Sequence, residues 1–307
     1  MVRRGTITMV IPSYNHEQYI DECLESVLEQ ERAADEIIVV DDGSTDGTVS
    51  RLRKFQGRMR VELGDHVGLR PNVGRGLALA TGDYVWILAS DDRLEPDALQ
   101  VLGEVLDRNS EVGLAYGHVA EIGQVGLATP VPERPMGLQL DPRPLISRNF
   151  IPAPATLCRR QALTDTRQPQ QTLCGDWEWW LALMLEGWAI YGAPRIVAGH
   201  RRHGGSLSSH AGTRRQIMAE IDMLSSLKEW QGARDPHVDE AFRSAISHRF
   251  TQLGWHNLQG GDRDGAVDAF QSARWGTRPP LAYIAGATFA RWPGLYRMWR
   301  RVRPLPT

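Results

Sequence analysis

Two adjacent carboxylates, Asp91 and Asp92, stand at the end of an apolar run, separated from Leu88 by Ala89 and Ser90. Like charges this close repel each other unless a cation or a hydrogen-bond donor pairs with them. A structural interpretation is that Asp92 caps the turn that leads to Pro96. A chemical interpretation is a divalent-metal site, because Mg²⁺ and Mn²⁺ bind carboxylate and phosphate oxygens and neutralise the charge that a departing diphosphate accumulates.

A second acidic pair, Asp41 and Asp42, follows the apolar run EIIVV and opens the segment DDGSTDGT. The second half of that segment has a structural explanation, since its glycines allow tight turns and its Ser, Thr and Asp side chains can cap the next helix. Asp41 and Asp42 are not explained in this way, and their carboxylates could accept hydrogen bonds from a base N–H or from ribose hydroxyls. Tyr14, in the segment PSYN after the first apolar run, is placed to lie against a flat nucleobase.

The elements that would position these residues alternate between strand and helix over the first ninety residues. Apolar runs predict buried strands at 6–11, 36–40 and 84–88 and an edge strand at 59–63. Helical spacing predicts helices at 48–55 and 72–80, and a helix capped by Asn15 with the apolar stripe Ile20, Cys23, Leu24, Val27 and Leu28. Strands separated by helices indicate a parallel sheet, in which the polar loops gather beyond the carboxyl ends of the strands. The three polar segments are therefore expected at one edge.

The second half of the chain is less regular. The sequence predicts a helix from 96 to 108, strands at 112–116, 119–122 and 155–159, and a Pro-rich loop at 130–144. Asp176 opens a helix, and a helical pattern extends from 213 to 272 with a break at Gly260–Asp262.

Composition and charge limit the range of functions. The chain has 307 residues, 42% of them hydrophobic, and a formal net charge of −2, which is typical of a globular protein and argues against a nucleic-acid partner. The three cysteines, Cys23, Cys158 and Cys174, are an odd number without paired spacing, so we expect a reduced, cytoplasmic protein. No signal peptide is predicted, and no stretch has the ~18–20 apolar residues that span a bilayer.

The C-terminal segment has a different charge from the rest of the chain. From Ala269 onward it contains no Asp or Glu and seven arginines: Arg274, Arg278, Arg291, Arg297, Arg300, Arg301 and Arg303. Together with Trp292, Tyr296 and Trp299, these arginines would suit a segment at an anionic membrane surface, on the inner face of the membrane. The alternative is a helix docked on the catalytic domain with its arginines in water.

Three blocks closely resemble the family 2 glycosyltransferases of the GT-A fold: TMVIPSYNHEQYIDECLESVLEQ, DEIIVVDDGSTDGT and GDYVWILASDD. They follow one another in the family's order and spacing, and the resemblance covers roughly residues 5 to 210. It implies an α/β fold with a mostly parallel, Rossmann-like sheet flanked by helices, and here a C-terminal helical extension. It also implies inverting transfer from a nucleotide-diphosphate sugar to the hydroxyl of a glycan, a lipid-linked molecule or a small molecule, with Mn²⁺ or Mg²⁺ as cofactor, in polysaccharide or glycoconjugate synthesis at the cell surface.

The resemblance also implies roles for individual residues. Pro12, Tyr14 and Asp42 would hold the nucleoside, with Asn15 and Asp41 beside them. Asp91 would contact ribose or a metal-bound water, and Asp92 would ligate the metal. A further group would reach the phosphates: Arg70, Asn72 and Arg75. The segment GHRRHGGSLSS is similar to the family's YRxHxxSxS stretch, in which Arg202 would approach the diphosphate and His203 would be a further metal ligand.

Asp176 matches the Asp of an acidic pair that the family has at the start of a helix, although Gly175 replaces the pair's Glu. An inverting single displacement needs a carboxylate that takes the acceptor proton, and an Asp with an ordinary pKa of ~3.9 is ionised at neutral pH. The alternatives are that Asp176 only caps its helix or that Glu178 is the base. Trp177 and Trp179 could then face the acceptor, whereas Trp180 and Trp188 have core spacing.

The expected organisation has four parts: a nucleotide-sugar-binding half at 1–95, an acceptor-binding half at 96–212, a helical extension at 213–277 and a basic aromatic tail at 278–307. Other functions fit the sequence less well. A catalytically inactive GT-A-like binding protein would not need Asp91, Asp92 and Asp176. A sugar nucleotidyltransferase would carry a Gly-rich phosphate loop after the first strand, where this chain has PSYN, and a dinucleotide dehydrogenase would carry G-x-G-x-x-G there. The oligomeric state is not predicted.

Overall fold

A computed structural model describes residues 3–122, 134–170, 173–202, 212–232, 234–274, 280–292, 294–296 and 298. The chain divides into two compact units. The first comprises Met1–Pro142, Phe150–Thr172 and Trp179–Ser206, and the second comprises Arg143–Asn149, Leu173–Glu178 and Leu207–Thr307.

The first unit contains one mixed sheet. Its strands within the described residues are β1 (Ile7–Ser13), β2 (Glu36–Asp41), β3 (Arg60–Leu63), β4 (Tyr84–Ile87), β5 (Arg93–Leu94), β6 (Val112–Ile122), β7 (Gly137–Gln139), β8 (Thr156–Arg159) and β9 (Ala189–Arg201). Their order is β3-β2-β1-β4-β8-β6-β9-β5, and β7 pairs with β9 outside this path. β3, β2, β1 and β4 are mutually parallel, whereas β8 is antiparallel to both β4 and β6.

The helices are α1 (Ile20–Leu28), α2 (Thr48–Leu52), α3 (Leu69–Leu79), α4 (Ala98–Arg108), α5 (Arg143–Ser147), α6 (Arg160–Thr164), α7 (Gly175–Leu185), α8 (Arg214–Gln231), α9 (Pro236–Gly260), α10 (Arg263–Ser272) and α11 (Leu281–Arg291). A 3₁₀ turn at Arg53–Phe55 extends α2. The helices α5 and α8 to α11 belong to the second unit, and the boundary between the units passes through α7.

The parallel half of the sheet confirms the sequence prediction, because β1, β2 and β4 are largely buried strands and β3 is an edge strand. Every residue of β1 is buried, as expected for a strand covered on both faces. The apolar stripe predicted for α1 is buried as well, and it joins a core formed with the sheet and α4. Burying each large aliphatic side chain of this kind contributes roughly 1.5–3 kcal/mol, so the strands that carry the polar loops have a rigid base.

Two predictions are wrong and one strand was missed. Asn15 does not cap α1, because the helix begins five residues later at Ile20 with Tyr19 at the N-cap, and Asn15 adopts a positive φ of 52°. The strands predicted at 112–116 and 119–122 are one strand, β6, whose pairing with β9 is irregular around Gly117. β9 itself was not predicted. In the Pro-rich segment, residues 123–133 lie outside the described part, and the remainder contains β7 and the start of α5.

The second unit contains the helical extension, and its helix ends follow capping chemistry. Pro236 occupies the first turn of α9 while the Asp235 carboxylate accepts hydrogen bonds from two backbone N–H groups. Gly261 ends α9 with a positive φ of 87°, and Asp262 caps α10. The predicted helix–GGD–helix pair is thereby confirmed. No helix within the described residues is long and apolar enough to cross a membrane.

The three cysteines are free thiols, and all are buried. Cys23 lies in α1 and Cys158 in β8, both in the first unit, whereas Cys174 precedes α7 in the second. Burial raises the pKa of each thiol. Their separation along the fold agrees with the unpaired spacing seen in the sequence.

Candidate active site

The carboxyl ends of β1, β2 and β4 lie at one edge of the sheet because the three strands are parallel. The loops that follow them are hydrogen-bonded to one another. The backbone N–H of Asn15 donates to Ser44 Oγ at 2.9 Å, and Asn15 Oδ1 accepts from the backbone N–H of Thr45 at 2.8 Å. His16 Nδ1 lies 2.7 Å from Ser90 Oγ in the loop after β4. The three polar segments therefore meet, as the sequence predicted.

Asp42 lies at the centre of this edge and is almost fully buried. Its carboxylate accepts hydrogen bonds from the backbone N–H groups of Val67 (2.8 Å) and Gly68 (2.9 Å). His66 Nδ1 lies 2.8 Å from Asp42 Oδ2, and the His66 ring stacks on Tyr14 with 4.2 Å between centroids. A flat heteroaromatic ring thus contacts both residues that were predicted to hold a nucleobase. No sequence signal pointed to His66, because its position depends on the β3–α3 loop folding back onto Asp42.

Three other residues predicted to bind the donor form hydrogen bonds around the tip of β2: Asp41, Asn72 and Arg75. The Asp41 carboxylate accepts hydrogen bonds from the backbone N–H (2.8 Å) and the hydroxyl (2.6 Å) of Ser44, and so shapes the turn after β2. Asn72 is buried in α3 and donates to the Val40 carbonyl at 2.6 Å. Arg75 Nη1 donates to Asn72 Oδ1 at 3.2 Å. Asn72 and Arg75 are therefore close to the strand tip that carries the acidic pair.

Pro12 and Arg70 complete the predicted donor site. Pro12 lies in β1, buried and opposite Val40 in the parallel register. Arg70 is in the first turn of α3 and is partly exposed. The loop from Tyr14 to Tyr19, together with Asp46, lines a cavity of about 380 Å³. That volume is within the usual range for small-molecule sites.

The second acidic pair is held by β9. Asp92 is 4% exposed, and its Oδ1 accepts a hydrogen bond from the backbone N–H of Arg201 at 2.8 Å. His200 Nδ1 lies 3.2 Å from the same oxygen, and Arg201 Nε donates to the Asp91 carbonyl at 2.9 Å. The antiparallel pairing of β5 with β9 brings these residues together, since β5 starts directly after Asp92.

Arg201 has further contacts that fix its guanidinium. Its Nη2 lies 2.5 Å from Glu22 Oε2, and its Cζ lies 4.9 Å from the centre of the Tyr19 ring. Arg202, the residue predicted from the sequence, pairs with Glu121 at 2.9 Å and is half exposed. His203 lies outside the described residues. His200 and Arg201 were missed because β9 was not predicted, and the register of that strand decides which of its side chains reach Asp92.

The donor atoms around Asp92 fit a divalent cation that arrives with a diphosphate. Oδ2 of Asp92 has only a 3.5 Å contact with His200 among the described residues, so it retains capacity for a ligand bond. The pKa of His200 is raised, mainly by the hydrogen bond between its ring and the Asp92 carboxylate. Within the described residues, no three His, Cys, Asp or Glu side chains converge on a metal position. This is compatible with Mg²⁺ or Mn²⁺, which are often held by one or two carboxylates plus substrate phosphates.

Asp176 lies in the first turn of α7, in the second unit, and is partly exposed. Its Oδ2 accepts a hydrogen bond from Asn149 Nδ2 at 3.2 Å, and backbone N–H groups at the helix start donate to the carboxylate. Because α7 begins at Gly175, Asp176 makes these bonds from inside the first turn and is not the N-cap residue. Burial raises the pKa of Asp176, which corrects the expectation of an ordinary value. Glu178, the alternative base, is 1% exposed.

The tryptophans of α7 differ from the prediction. Trp177 and Trp179 are buried, and so is Trp180, as expected from its spacing. Trp177 Nε1 donates to the Leu145 carbonyl at 2.8 Å. The helix is apolar on nearly all sides after its first turn, so these rings pack in the interior and do not face an acceptor.

Comparison with known proteins identifies a family. The family model described as glycosyl transferase family 2 matches residues 8–166. The glycosyltransferase TuaG of Bacillus subtilis (strain 168), named for teichuronic acid biosynthesis, is 28% identical over 211 residues, a match that covers 66% of this chain and 82% of TuaG.

Two solved structures share the fold. TarS 1-349 of S. aureus, in complex with UDP-GlcNAc, has a TM-score of 0.67 at 15% identity and covers 98% of this chain and 93% of its own. The mannosyltransferase PcManGT of Pyrobaculum calidifontis, in complex with GDP-Man and Mn²⁺, has a TM-score of 0.59 at 20% identity and covers 97% of this chain and 83% of its own. The shared fold confirms the predicted α/β class of the GT-A type.

Proposed function

Because the chain belongs to the family 2 glycosyltransferases, we propose that it transfers a sugar from a nucleotide-diphosphate donor to an acceptor hydroxyl with inversion at the anomeric carbon. The observation that carries this proposal is the position of two acidic pairs, Asp41–Asp42 and Asp91–Asp92, at the carboxyl edge of three parallel strands whose loops are hydrogen-bonded to one another. Ligands of open α/β sheets bind at such an edge. Nothing in the comparisons supports the inactive binding protein or the nucleotidyltransferase.

The donor would bind in the first unit. Tyr14 and Asp42 would hold the nucleobase, which would take the place of the His66 ring between them. Three further residues would shape this pocket: Pro12, Asn15 and Asp41. Arg75 would reach the phosphates, with Arg70 beside it, and the buried Asn72 would hold Arg75 through its side-chain oxygen. GDP-Man and UDP-GlcNAc in the structures of PcManGT and TarS support a nucleotide-sugar ligand.

Asp92 would ligate Mn²⁺ or Mg²⁺, with Asp91 beside it, and His200 or His203 would be a further ligand. The metal would supply charge neutralisation for the departing diphosphate. Arg201 donates a hydrogen bond to the Asp91 carbonyl, whereas Arg202 pairs with Glu121. Arg201 is therefore the stronger candidate for the positive charge that faces the leaving group. The Mn²⁺ in the PcManGT structure supports metal use.

Asp176 would take the proton from the acceptor hydroxyl as the sugar is transferred. A carboxylate whose pKa is raised by burial is a stronger base than an ordinary Asp. The name of TuaG supports a role in the synthesis of cell-surface polysaccharide. A carbohydrate or lipid-linked acceptor follows from this role.

Donor binding is tested by thermal shift with UDP-, GDP- and dTDP-linked sugars, each with and without Mn²⁺. One nucleotide class is expected to stabilise the protein, by about 2.7 kcal/mol when the ligand is at 100 times its Kd, and only when the metal is present. Mn²⁺ alone and each donor with EDTA are the controls. If no donor stabilises the protein under any of these conditions, the protein is not a nucleotide-sugar enzyme and the proposal fails.

We also propose that the C-terminal segment contacts an anionic membrane surface at the inner face of the membrane. Trp292 is 58% exposed next to the C-terminus of α11, in a region with seven arginines and no acidic residue. Trp292→Glu is expected to weaken co-sedimentation with phosphatidylglycerol vesicles several-fold. Leu140→Glu, which changes a similarly exposed apolar side chain elsewhere, is the control. Equal vesicle binding by the wild type and both variants would refute the contact.

A further inference from the structure

The segment that carries Asp176 belongs to the same compact unit as the C-terminal helices. That unit joins two short pieces of the chain, Arg143–Asn149 and Leu173–Glu178, with the residues from Leu207 onward. The two pieces contain the pair Asn149 and Asp176, which are hydrogen-bonded to each other. The helical extension is therefore the part of the molecule that packs around the candidate base.

One guanidinium in this unit touches three different segments. Arg249, in α9, is 7% exposed and forms an ion pair with Glu220 of α8. Its Nη2 donates to the Ser147 carbonyl at 3.2 Å, at the end of α5. Its Cζ lies 5.4 Å from the centre of the Trp177 ring, in the first turn of α7. A buried arginine with this many partners has very little freedom to move.

These contacts flank the hydrogen-bonded pair on both sides. Ser147 is two residues before Asn149 in the chain, and Trp177 directly follows Asp176. A second bond joins the same two segments, since Trp177 Nε1 donates to the Leu145 carbonyl at 2.8 Å. If the guanidinium were removed, the α5 end and the α7 start would lose the group that both of them touch.

We propose that Arg249 is a positioning residue that holds Asn149 and Asp176 in register for proton abstraction, and that Glu220 holds Arg249 in turn. The inference rests on the proposed function, in which Asp176 is the base. It gives the helical extension a part in the chemistry of the transfer. Misplacing a catalytic group by about 1 Å can lower a rate about 10²-fold, so such a role has a measurable size.

Arg249→Lys is the variant of choice, because it keeps a positive charge beside the partly buried Glu220 carboxylate. A lysine cannot reproduce the planar fork that reaches the Ser147 carbonyl while stacking on Trp177. We expect kcat to fall about 10- to 100-fold, with the KM for the donor and the donor thermal shift unchanged. Arg243→Lys is the matched control on the same helix, since Arg243 is exposed and pairs with Asp239, and it is expected to behave as the wild type.

A pH profile separates positioning from a merely structural role. Two groups from other elements act directly on Asp176: Glu220 of α8 and Asn149. Arg249 acts through its ion pair with Glu220. Glu178 lies on the same helix as Asp176. Glu220 contributes to the raised pKa of Asp176. In Glu220→Gln the acid limb of the kcat–pH profile should therefore move to lower pH. In Arg249→Lys the acid limb should stay at the same pH while the maximal kcat falls.

Two outcomes would overturn the inference: a kcat for Arg249→Lys within twofold of the wild type, or a parallel loss of kcat and donor binding, which would indicate general unfolding. A kcat for Glu220→Gln within twofold of the wild type would overturn the part assigned to Glu220, and an acid limb that does not move would contradict its effect on the pKa of Asp176. If the wild type shows no donor thermal shift, the proposed function fails first. If Asp176→Asn keeps its transfer rate, the base assignment on which the inference rests fails first.

Discussion

Asp176→Asn is expected to bind the donor as the wild type does and to lose about 10²–10⁴-fold in transfer rate, the usual contribution of a general base. The amide has nearly the shape of the carboxylate and can still hydrogen-bond to Asn149, so the local structure should persist. It cannot accept the acceptor's proton. Initial rates of nucleotide release, with and without acceptor, measure the loss, and the thermal shift with donor measures binding.

Glu178→Gln is the comparison for this result. Glu178 is 1% exposed whereas Asp176 is partly exposed, so Asp176 presents the more accessible carboxylate to an acceptor hydroxyl. We therefore expect Glu178→Gln to retain most of its transfer rate, provided that the variant folds. The opposite pattern, with Asp176→Asn active and a folded Glu178→Gln inactive, would show that the base has been assigned to the wrong residue.

The same substitution of Asp176 should stabilise the protein at neutral pH. Because burial raises the pKa of Asp176 in the folded state, the fold favours the neutral acid, and ionisation at pH 7 costs stability. This cost is fully present above the folded-state pKa and disappears as the pH falls below the unfolded-state value. Asp176→Asn should therefore have a higher Tm than the wild type at pH 7, with a smaller difference in acid. An equal difference at both pH values would contradict the raised pKa.

Asp92→Asn is expected to abolish the Mn²⁺-dependent part of donor stabilisation and to lower transfer by about 10²–10³-fold. Metal neutralisation of a leaving diphosphate provides several kcal/mol, and each 1.36 kcal/mol is tenfold in rate. The amide oxygen of the new side chain can still accept the hydrogen bond from the Arg201 backbone, so the β5–β9 connection is retained. The measurement is the thermal shift with donor across a Mn²⁺ titration, followed by the transfer rate at saturating metal.

Asp97→Asn provides the matched control for the metal experiment. It removes a carboxylate five residues away that pairs with Arg195, and so changes the net charge by the same amount. This variant should respond to Mn²⁺ as the wild type does. A full Mn²⁺ response in Asp92→Asn would show that the metal, if it is used, is held by other groups.

The parallel half of the sheet and its acidic loops were predictable from sequence because local information is enough there. β1, β2 and β4 are uninterrupted apolar runs, and an acidic pair follows each of the last two. Their convergence follows from parallel pairing alone. The helix–GGD–helix pair was predictable for a similar reason, since Gly261 and Asp262 are local stop and start signals.

The remainder of the site depends on contacts between residues that are distant in sequence. β9 contains Gly192 and Pro194, which interrupt its strand pattern, and it is completed by pairing with β6 and β5. His200 and Arg201 reach Asp92 only through that pairing. Arg249 is likewise about a hundred residues from Ser147, and no local pattern shows that the two meet.

The three buried cysteines can be used to measure local opening of the structure around them. A cysteine that is buried and whose pKa is raised is nearly inert to alkylating reagents, so labelling can proceed only when its surroundings open. Cys23 and Cys158 would register fluctuations of the sheet, and Cys174 those of the helical unit beside Asp176. The rate of modification at each sulfur, measured by mass spectrometry, would therefore give separate opening free energies for the donor-binding and base-carrying parts, without any added probe.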